Sequence, residues 1–147
     1  MTMFVERLRA STSSRLAMVG RDATVHDAAA SLSRSGIGLV VVCDGAGSLE
    51  GVLSKSDLVR YLGRPNGAPP SVSTLMSTAV VACGPKDDVR EVWQTMAARN
   101  LQNIPVLEGG ARPVGILDIR DAMKALFEEE EIQERMLFNY VTGVGYR

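Results

Sequence analysis

A shift of 64 residues lays one half of this 147-residue chain on the other. Val25 then falls on Val89, Val42 on Val106, Gly45 on Gly109, Gly51 on Gly115, Leu53 on Leu117, Asp57 on Asp121 and Leu62 on Leu126, with no gap between the first pair and the last. Similar pairs keep the same register: Asp27 on Glu91, Leu32 on Met96, Asp44 on Glu108 and Val52 on Ile116. Such a duplication restricts the fold more than any local propensity. One supersecondary unit must be used twice, and the copies must pack on each other.

Each copy reads the same way. Thr24 starts a helix with Asp27 as its capping-box partner, and Val25, Ala28, Ala29 and Leu32 recur at helical spacing. Ser35 and Gly36 end it. In the second copy Asp88 and Glu91 replace the cap pair, Val89, Val92, Trp93 and Met96 form the apolar face, and Asn100 stands at the Gly36 position. Buried strands follow at Leu39 to Cys43 and Asn103 to Leu107. Pro105 has no N–H, so it is expected where the ladder needs no donor. Turns at Asp44 to Gly47 and Glu108 to Gly110 lead into short strands, Leu49 to Leu53 and Pro113 to Leu117. Helices at Lys55 to Leu62 and Ile119 to Phe127 follow, and a short strand precedes each copy, Leu16 to Val19 and Val80 to Cys83.

The predicted fold class is α/β (α+β): two β-α-β-β-α repeats with pseudo-two-fold symmetry, plus a C-terminal helix. The expected boundaries are repeat 1 over 8–63, a Pro/Gly-rich linker over 64–71, repeat 2 over 72–127, and a helix and tail over 128–147. The helix is expected at Glu128 to Tyr140, with an apolar stripe that must fold back or pack on a second subunit, and the glycine-punctuated tail after it is expected to be irregular.

Composition narrows the function. The chain is 46% hydrophobic and 22% charged, as a globular domain is, which excludes disorder as its main state. A net charge of −1 lacks the basic excess of a nucleic-acid binder, so no nucleic acid is expected as a partner. Cys43 and Cys83 have no metal-ligand spacing and suggest no disulfide framework. The longest apolar run, Ile37 to Cys43, is too short to span a bilayer, and the first residues lack the apolar centre of a signal peptide. A soluble cytoplasmic protein, with no membrane partner, is expected.

Catalytic constellations are not visible. His26 is the sole histidine, in the first turn of a polar-capped helix, and no serine or cysteine has a base and an orienting group beside it. The run Glu128 to Glu131 reads as a solvated helix segment, the seven methionines as core filler, and no Gly-rich phosphate loop is present. One feature does recur at a useful place. Gly51, Ser54 and Asp57, and again Gly115, Asp118 and Asp121, stand where a strand enters a helix. Capping alone explains both sets, with Ser54 or Asp118 at the N-cap and Asp57 or Asp121 three residues on. The same geometry also suits a nucleotide: a helix N-terminus and hydroxyl for phosphate, a carboxylate for ribose hydroxyls, and a glycine to admit a flat base. From the residues alone both readings stand.

The doubled β-α-β-β-α unit, each copy ending in Gly-h-h-(Ser/Asp)-x-x-Asp (h, apolar), with Pro105 in the middle strand of the second, resembles the cystathionine-β-synthase (CBS) domain pair, or Bateman module, over roughly residues 8–127. That resemblance implies a regulatory module without catalytic activity that needs no cofactor. Its ligand would be an adenosine-containing molecule held between the repeats: AMP, with ADP, ATP or S-adenosylmethionine as alternatives. It also implies pairing into a homodimer and an unidentified effector protein. Carried over by position, cleft A would use Val52, Ser54, Ser56 and Asp57, with Val80, Val81, Gln102 and Asn103 opposite. Asp57 would hold the ribose and Ser54 the phosphate. Cleft B would use Ile116, Asp118, Arg120 and Asp121, with Thr12, Ala17, Ile37, Gly38 and Leu39 opposite.

Cleft B departs from the family pattern. Asp118 stands where serine or threonine is usual, and a carboxylate repels phosphate unless a cation such as Arg120 intervenes. Cleft B is therefore expected to be empty, to take a ligand with less phosphate, or to rely on Arg120. Cleft A keeps the pattern, with Lys55 beside it; the scarcity of other basic residues favours a monophosphate. The rival reading is a ligand-free dimerisation scaffold in which both acidic motifs only cap helices. An enzyme and a DNA-binding protein rank below it.

Overall fold

The structure, a computed structural model, describes residues 2–64 and 71–142. Most of the expected linker (65–70) and the end of the tail (143–147) lie outside the described residues. A 3-10 turn at Val5–Leu8 leads into α1 (Arg9–Ser14). Repeat 1 contains β1 (Met18–Gly20), α2 (Val25–Leu32), β2 (Leu39–Cys43), β3 (Leu49–Ser54) and α3 (Lys55–Leu62). After α4 (Val72–Leu75), repeat 2 contains α5 (Val89–Ala98), β4 (Asn103–Glu108), β5 (Arg112–Asp118) and α6 (Ile119–Thr142). The mixed, duplicated α+β architecture is the one expected from the 64-residue register.

Local chemistry sets the element ends. At α2 the Asp27 N–H donates to Thr24 Oγ1 and the Thr24 N–H to Asp27 Oδ2, both at 3.1 Å, closing the capping box. At α5 the Asp88 carboxylate takes the Arg90 N–H at 3.0 Å. Gly36 (φ +82°) and Asn100 (φ +54°) occupy the left-handed region at matching repeat positions after α2 and α5, where glycine and asparagine are least strained.

β2 is buried at all five positions because it serves two cores. Val40 and Val42 pack into repeat 1, against Leu32 and against Ala28, Leu53 and Val72 respectively. Leu39, Val41 and Cys43 point the other way and meet Ile116 of β5 across the seam between repeats. Each repeat also borrows from the segment that precedes the other. Met3 and Val5 complete the core of repeat 2 with Val89, Met96, Ile104, Val106 and Leu117. Val72 enters the core of repeat 1, with its N–H on the Ala23 carbonyl at 3.0 Å. This exchange ties the repeats together through both backbone and apolar contacts.

Two expectations need correction. The strand expected at Val80 to Cys83 is reduced to one parallel bridge, Cys83 with Val106. Pro105 gives the physical reason. In repeat 1 the Val41 N–H donates to the Ala17 carbonyl at 2.9 Å, and the positions 64 residues on are Pro105 and Val81. Proline has no N–H, so the ladder that begins with Cys83 on the Pro105 carbonyl (3.0 Å) and Leu107 on the Cys83 carbonyl (2.8 Å) cannot extend back to Val81. β1–β2–β3 is thus three-stranded and β4–β5 two-stranded. The second correction concerns the helices expected at Ile119 to Phe127 and Glu128 to Tyr140, which are one helix of 24 residues, α6. The glutamate run is good helix-forming sequence, and no glycine or proline interrupts it. Its outer half leaves Ile132, Met136 and Leu137 exposed. Among the described residues no helix is long and apolar enough to cross a membrane.

Candidate functional site

The two strand-to-helix junctions, β3 into α3 and β5 into α6, open on one cavity of about 750 Å³. It is lined by Gly36 to Leu39 and Ser54 to Ser56 of repeat 1 and by Asn100 to Asn103 and Arg120 of repeat 2. Residues 36–39 and 100–103 are the same stretch in the two repeats, so the cavity sits on the pseudo-two-fold axis. Two helix N-termini flank it, each with a positive dipole end. Lys55 and Arg120 add positive side chains. Asn103 aims a buried Oδ1 that has no hydrogen-bond partner, and Gly38 leaves just enough room for that side chain, since a Cβ there would lie 2.5 Å from Asn103 Nδ2.

The cavity gathers some of the expected site residues. Ser54, Ser56, Gln102 and Asn103 of cleft A line it with Ile37, Gly38, Leu39 and Arg120 of cleft B. Asp57 lies just behind, folded onto Ser54: its Oδ2 accepts from the Ser54 N–H (2.8 Å) and hydroxyl (3.0 Å), and its Oδ1 from Arg60 (3.2 Å). Val52 pairs with Ser77 through reciprocal backbone bonds of 3.0 and 2.8 Å. Val81 packs against the core of repeat 2, and Val80 is half-buried.

On the cleft B side, Thr12, Ala17 and Ile116 are buried inside the protein and do not line the cavity. Ala17 packs with Leu32, Ile37 and Val40, and Ile116 forms the seam with Leu39 and Val41. The motif glycines, read as room for a flat base, instead lie under chain from the other repeat. A Cβ on Gly51 would meet Met76 Sδ at 2.6 Å and the Ser77 carbonyl at 2.8 Å; one on Gly115 would meet Thr12 Cβ at 2.8 Å and its carbonyl group at 2.9 Å.

The junctions differ in electrostatics. Asp118 is only 2% exposed and takes the Arg120 N–H at 2.8 Å and the Arg120 guanidinium at 3.0 and 2.7 Å. Burial pushes this carboxyl up, but the Arg120 hydrogen bonds and the charges of Arg120 and Arg15 outweigh it and hold it below the ordinary carboxylate value. Asp121 does not fold onto its N-cap as Asp57 does; it pairs with Arg15, Nε to Oδ2 at 2.6 Å and Nη2 to Oδ1 at 3.2 Å. The Asp121 hydrogen bond is the main cause that raises the Arg15 pKa further. Sequence reasoning did not find Arg15. The available signal was the repeat register itself, which sets Arg15 against Ala79. Among the described residues no group of three or more His, Cys, Asp or Glu side chains could hold a metal ion.

Comparison with known proteins bears on the fold. The sequence model of the CBS domain matches residues 6–64 and 72–128. A CBS-domain containing protein of Agrobacterium tumefaciens is 32% identical, with a TM-score of 0.72 over 85% of this chain and 94% of that one. A CBS domain protein of Pyrobaculum aerophilum, solved complexed with AMP, has a TM-score of 0.70 at 19% identity, covering 81% and 89%. Arabinose 5-phosphate isomerase GutQ of Shigella flexneri is 28% identical over 107 residues, 73% of this chain but 33% of the isomerase. The chain thus spans about a third of the length of that curated relative.

Proposed function

The chain belongs to the CBS domain family, and we propose from that premise that it is a regulatory module that binds an adenine nucleotide, AMP-like, at cleft A. Occupancy would be passed to a separate effector protein as a change in the packing of the repeats. The observation that carries this reading is the cavity of about 750 Å³ where the α3 N-terminus presents Ser54, Lys55 and Ser56 toward Gln102 and Asn103. Phosphate suits such a helix start, and Lys55 alone, with the Arg120 guanidinium held by Asp118, suits one phosphate better than three. The AMP complex of the Pyrobaculum aerophilum relative supports the ligand class. Signalling requires that the nucleotide bind one arrangement of the repeats more tightly than another. The ligand would touch both repeats, so it can meet that requirement.

A thermal-shift panel of AMP, ADP, ATP, S-adenosylmethionine and NAD tests the reading. A ligand at 100 times its dissociation constant adds ~2.7 kcal/mol of stability. Asp57→Ala is expected to abolish that gain. No shift with any of the five would reject the nucleotide reading.

A ligand-free dimerisation scaffold is the second reading, and one observation favours it: without ligand, Asp57 is satisfied by Ser54 and Arg60, and Asp121 by Arg15. Under it, Asp57→Ala costs only the cap, ~1 kcal/mol. Both readings include a homodimer. Val59 on α3 and Met123 on α6 are equivalent in the repeats, and both are exposed, like Leu62 and Phe127 nearby, so each helix carries exposed apolar side chains. Sedimentation velocity of Val59→Lys against the parent chain tests that surface; an unchanged dimer would reject it.

A further inference from the structure

We infer that Arg15 closes cleft B, so that the module takes one nucleotide per chain and not two; the stoichiometry rests on the nucleotide reading proposed above. The guanidinium follows directly on α1 and crosses the seam between repeats. It pairs bidentately with Asp121, donates Nη1 to the Gly36 carbonyl at 2.8 Å, and lies 3.7 Å from Asp118 Oδ2. Asp121 is the carboxylate that a ribose would need in cleft B, and Gly36 immediately precedes Ile37, Gly38 and Leu39, the stretch expected opposite it. Arg15 is thus bound to both sides of the cleft. Its side chain is 20% exposed and that of Asp121 21%, so the pair is sheltered from solvent.

The α6 start is occupied as well. The Ile119 N–H donates to the Gln102 carbonyl at 2.8 Å, and the Arg120 N–H to Asp118 at 2.8 Å, so two of the groups that would meet an anion are taken. Among the described residues, cleft A has no counterpart to this closure. The residue 64 positions after Arg15 is Ala79, which cannot reach Asp57, and the hydrogen bonds of Asp57 to described residues lie within its own repeat. Two of the differences between the clefts are paired in space: the cleft that carries Arg15 where the other has Ala79 also carries Asp118 where the other has Ser54. Removing Arg15 alone would leave Asp118 and Asp121 facing any phosphate. Opening cleft B therefore requires both changes, Arg15→Ala and Asp118→Ser.

The test has two arms. Without nucleotide, thermal midpoints of Arg15→Ala, Asp121→Ala and their double variant form a cycle. The double variant is expected to lose clearly less than the sum of the two single losses, and additive losses would overturn the closure. Arg15→Met, which keeps the aliphatic stem, replaces Arg15→Ala should that variant not fold. With AMP, titration calorimetry is expected to give one site for the parent chain, none for Asp57→Ala, and two for Arg15→Ala/Asp118→Ser. Two sites in the parent chain, or one in a folded Arg15→Ala/Asp118→Ser variant, would overturn the inference. Coupling in the cycle with no AMP bound by the parent would leave the closure standing and remove the nucleotide reading instead.

Discussion

Gly115→Ala puts a single methyl group into the seam between the repeats. An added Cβ would lie 2.8 Å from Thr12 Cβ and 2.9 Å from both the Thr12 carbonyl carbon and oxygen. Carbon atoms prefer separations of about 3.5–4.0 Å, so both carbon contacts are short by more than half an ångström. Two of the three atoms are backbone, and a rotamer change cannot move them. α1 must shift off β5, and Arg15 immediately after it must shift too. Overpacking in well-filled interiors costs ~1–3 kcal/mol, and the backbone contact puts this case in the upper half, ~2–3 kcal/mol. With a urea m-value of ~2 kcal/mol/M, the midpoint falls by ~1–1.5 M. Thr12→Gly in the same chain removes only the Cβ contact and is not expected to rescue it. Gly20→Ala is the control: nothing lies within 4 Å of a Cβ there, so its midpoint should stay within ~0.3 M of the parent. A Gly115→Ala midpoint equal to that of Gly20→Ala would refute the claim that the seam is closed by main chain crossing that glycine.

Three further outcomes are expected. Thr24→Ala removes the acceptor for the Asp27 N–H and should cost ~1 kcal/mol in urea unfolding; a neutral result would deny the cap a role. Asp118 is held below its ordinary pKa in the folded protein, so its share of stability is present above about pH 4, the unfolded value, and is lost as pH falls through the lower folded value. Asp118→Asn should therefore flatten the acid side of a stability–pH curve, and an unchanged curve would show that Asp118 is not held ionised. Burial, more than the nearby Asp87 charge, pushes the Cys83 thiol up to about 12, so it should react with a disulfide reagent at pH 8 only when urea unfolds the chain. Rapid native-state labelling of Cys83 would contradict its placement in the core of repeat 2.

The duplication carried most of the fold, because a gapless register transfers most elements of one copy to the other; the strand at Val80 to Cys83, the counterpart of β1, is the exception. Ser54, Ser56, Gln102 and Asn103 line the cavity because helix starts and the strands beside them are local features that a sequence shows. Long-range pairing was not legible. Arg15 and Asp121 are separated by 106 residues, and no spacing rule connects an arginine after one short helix to a carboxylate in another. The glycines misled for a related reason: a sequence shows that a Cβ is absent but not what fills the space, and here it is chain from the partner repeat. Pro105 was read correctly as a site without a donor. Its effect on the strand at Val80 to Cys83 needed the neighbouring ladder, since the missing bond belongs to Val81.

The unbroken α6 makes the far end of the molecule a pointer fixed at the cavity wall. Its first turn holds Arg120 and Asp121, and its 24 residues form one unbroken helix. At 1.5 Å per residue the helix is about 36 Å long, so a tilt of ~5° at its base sweeps the tip by ~3 Å. A rearrangement of a few degrees beside Asp118 would thus arrive at Met136 and Leu137, about 26 Å along the helix, as a displacement of ~2 Å.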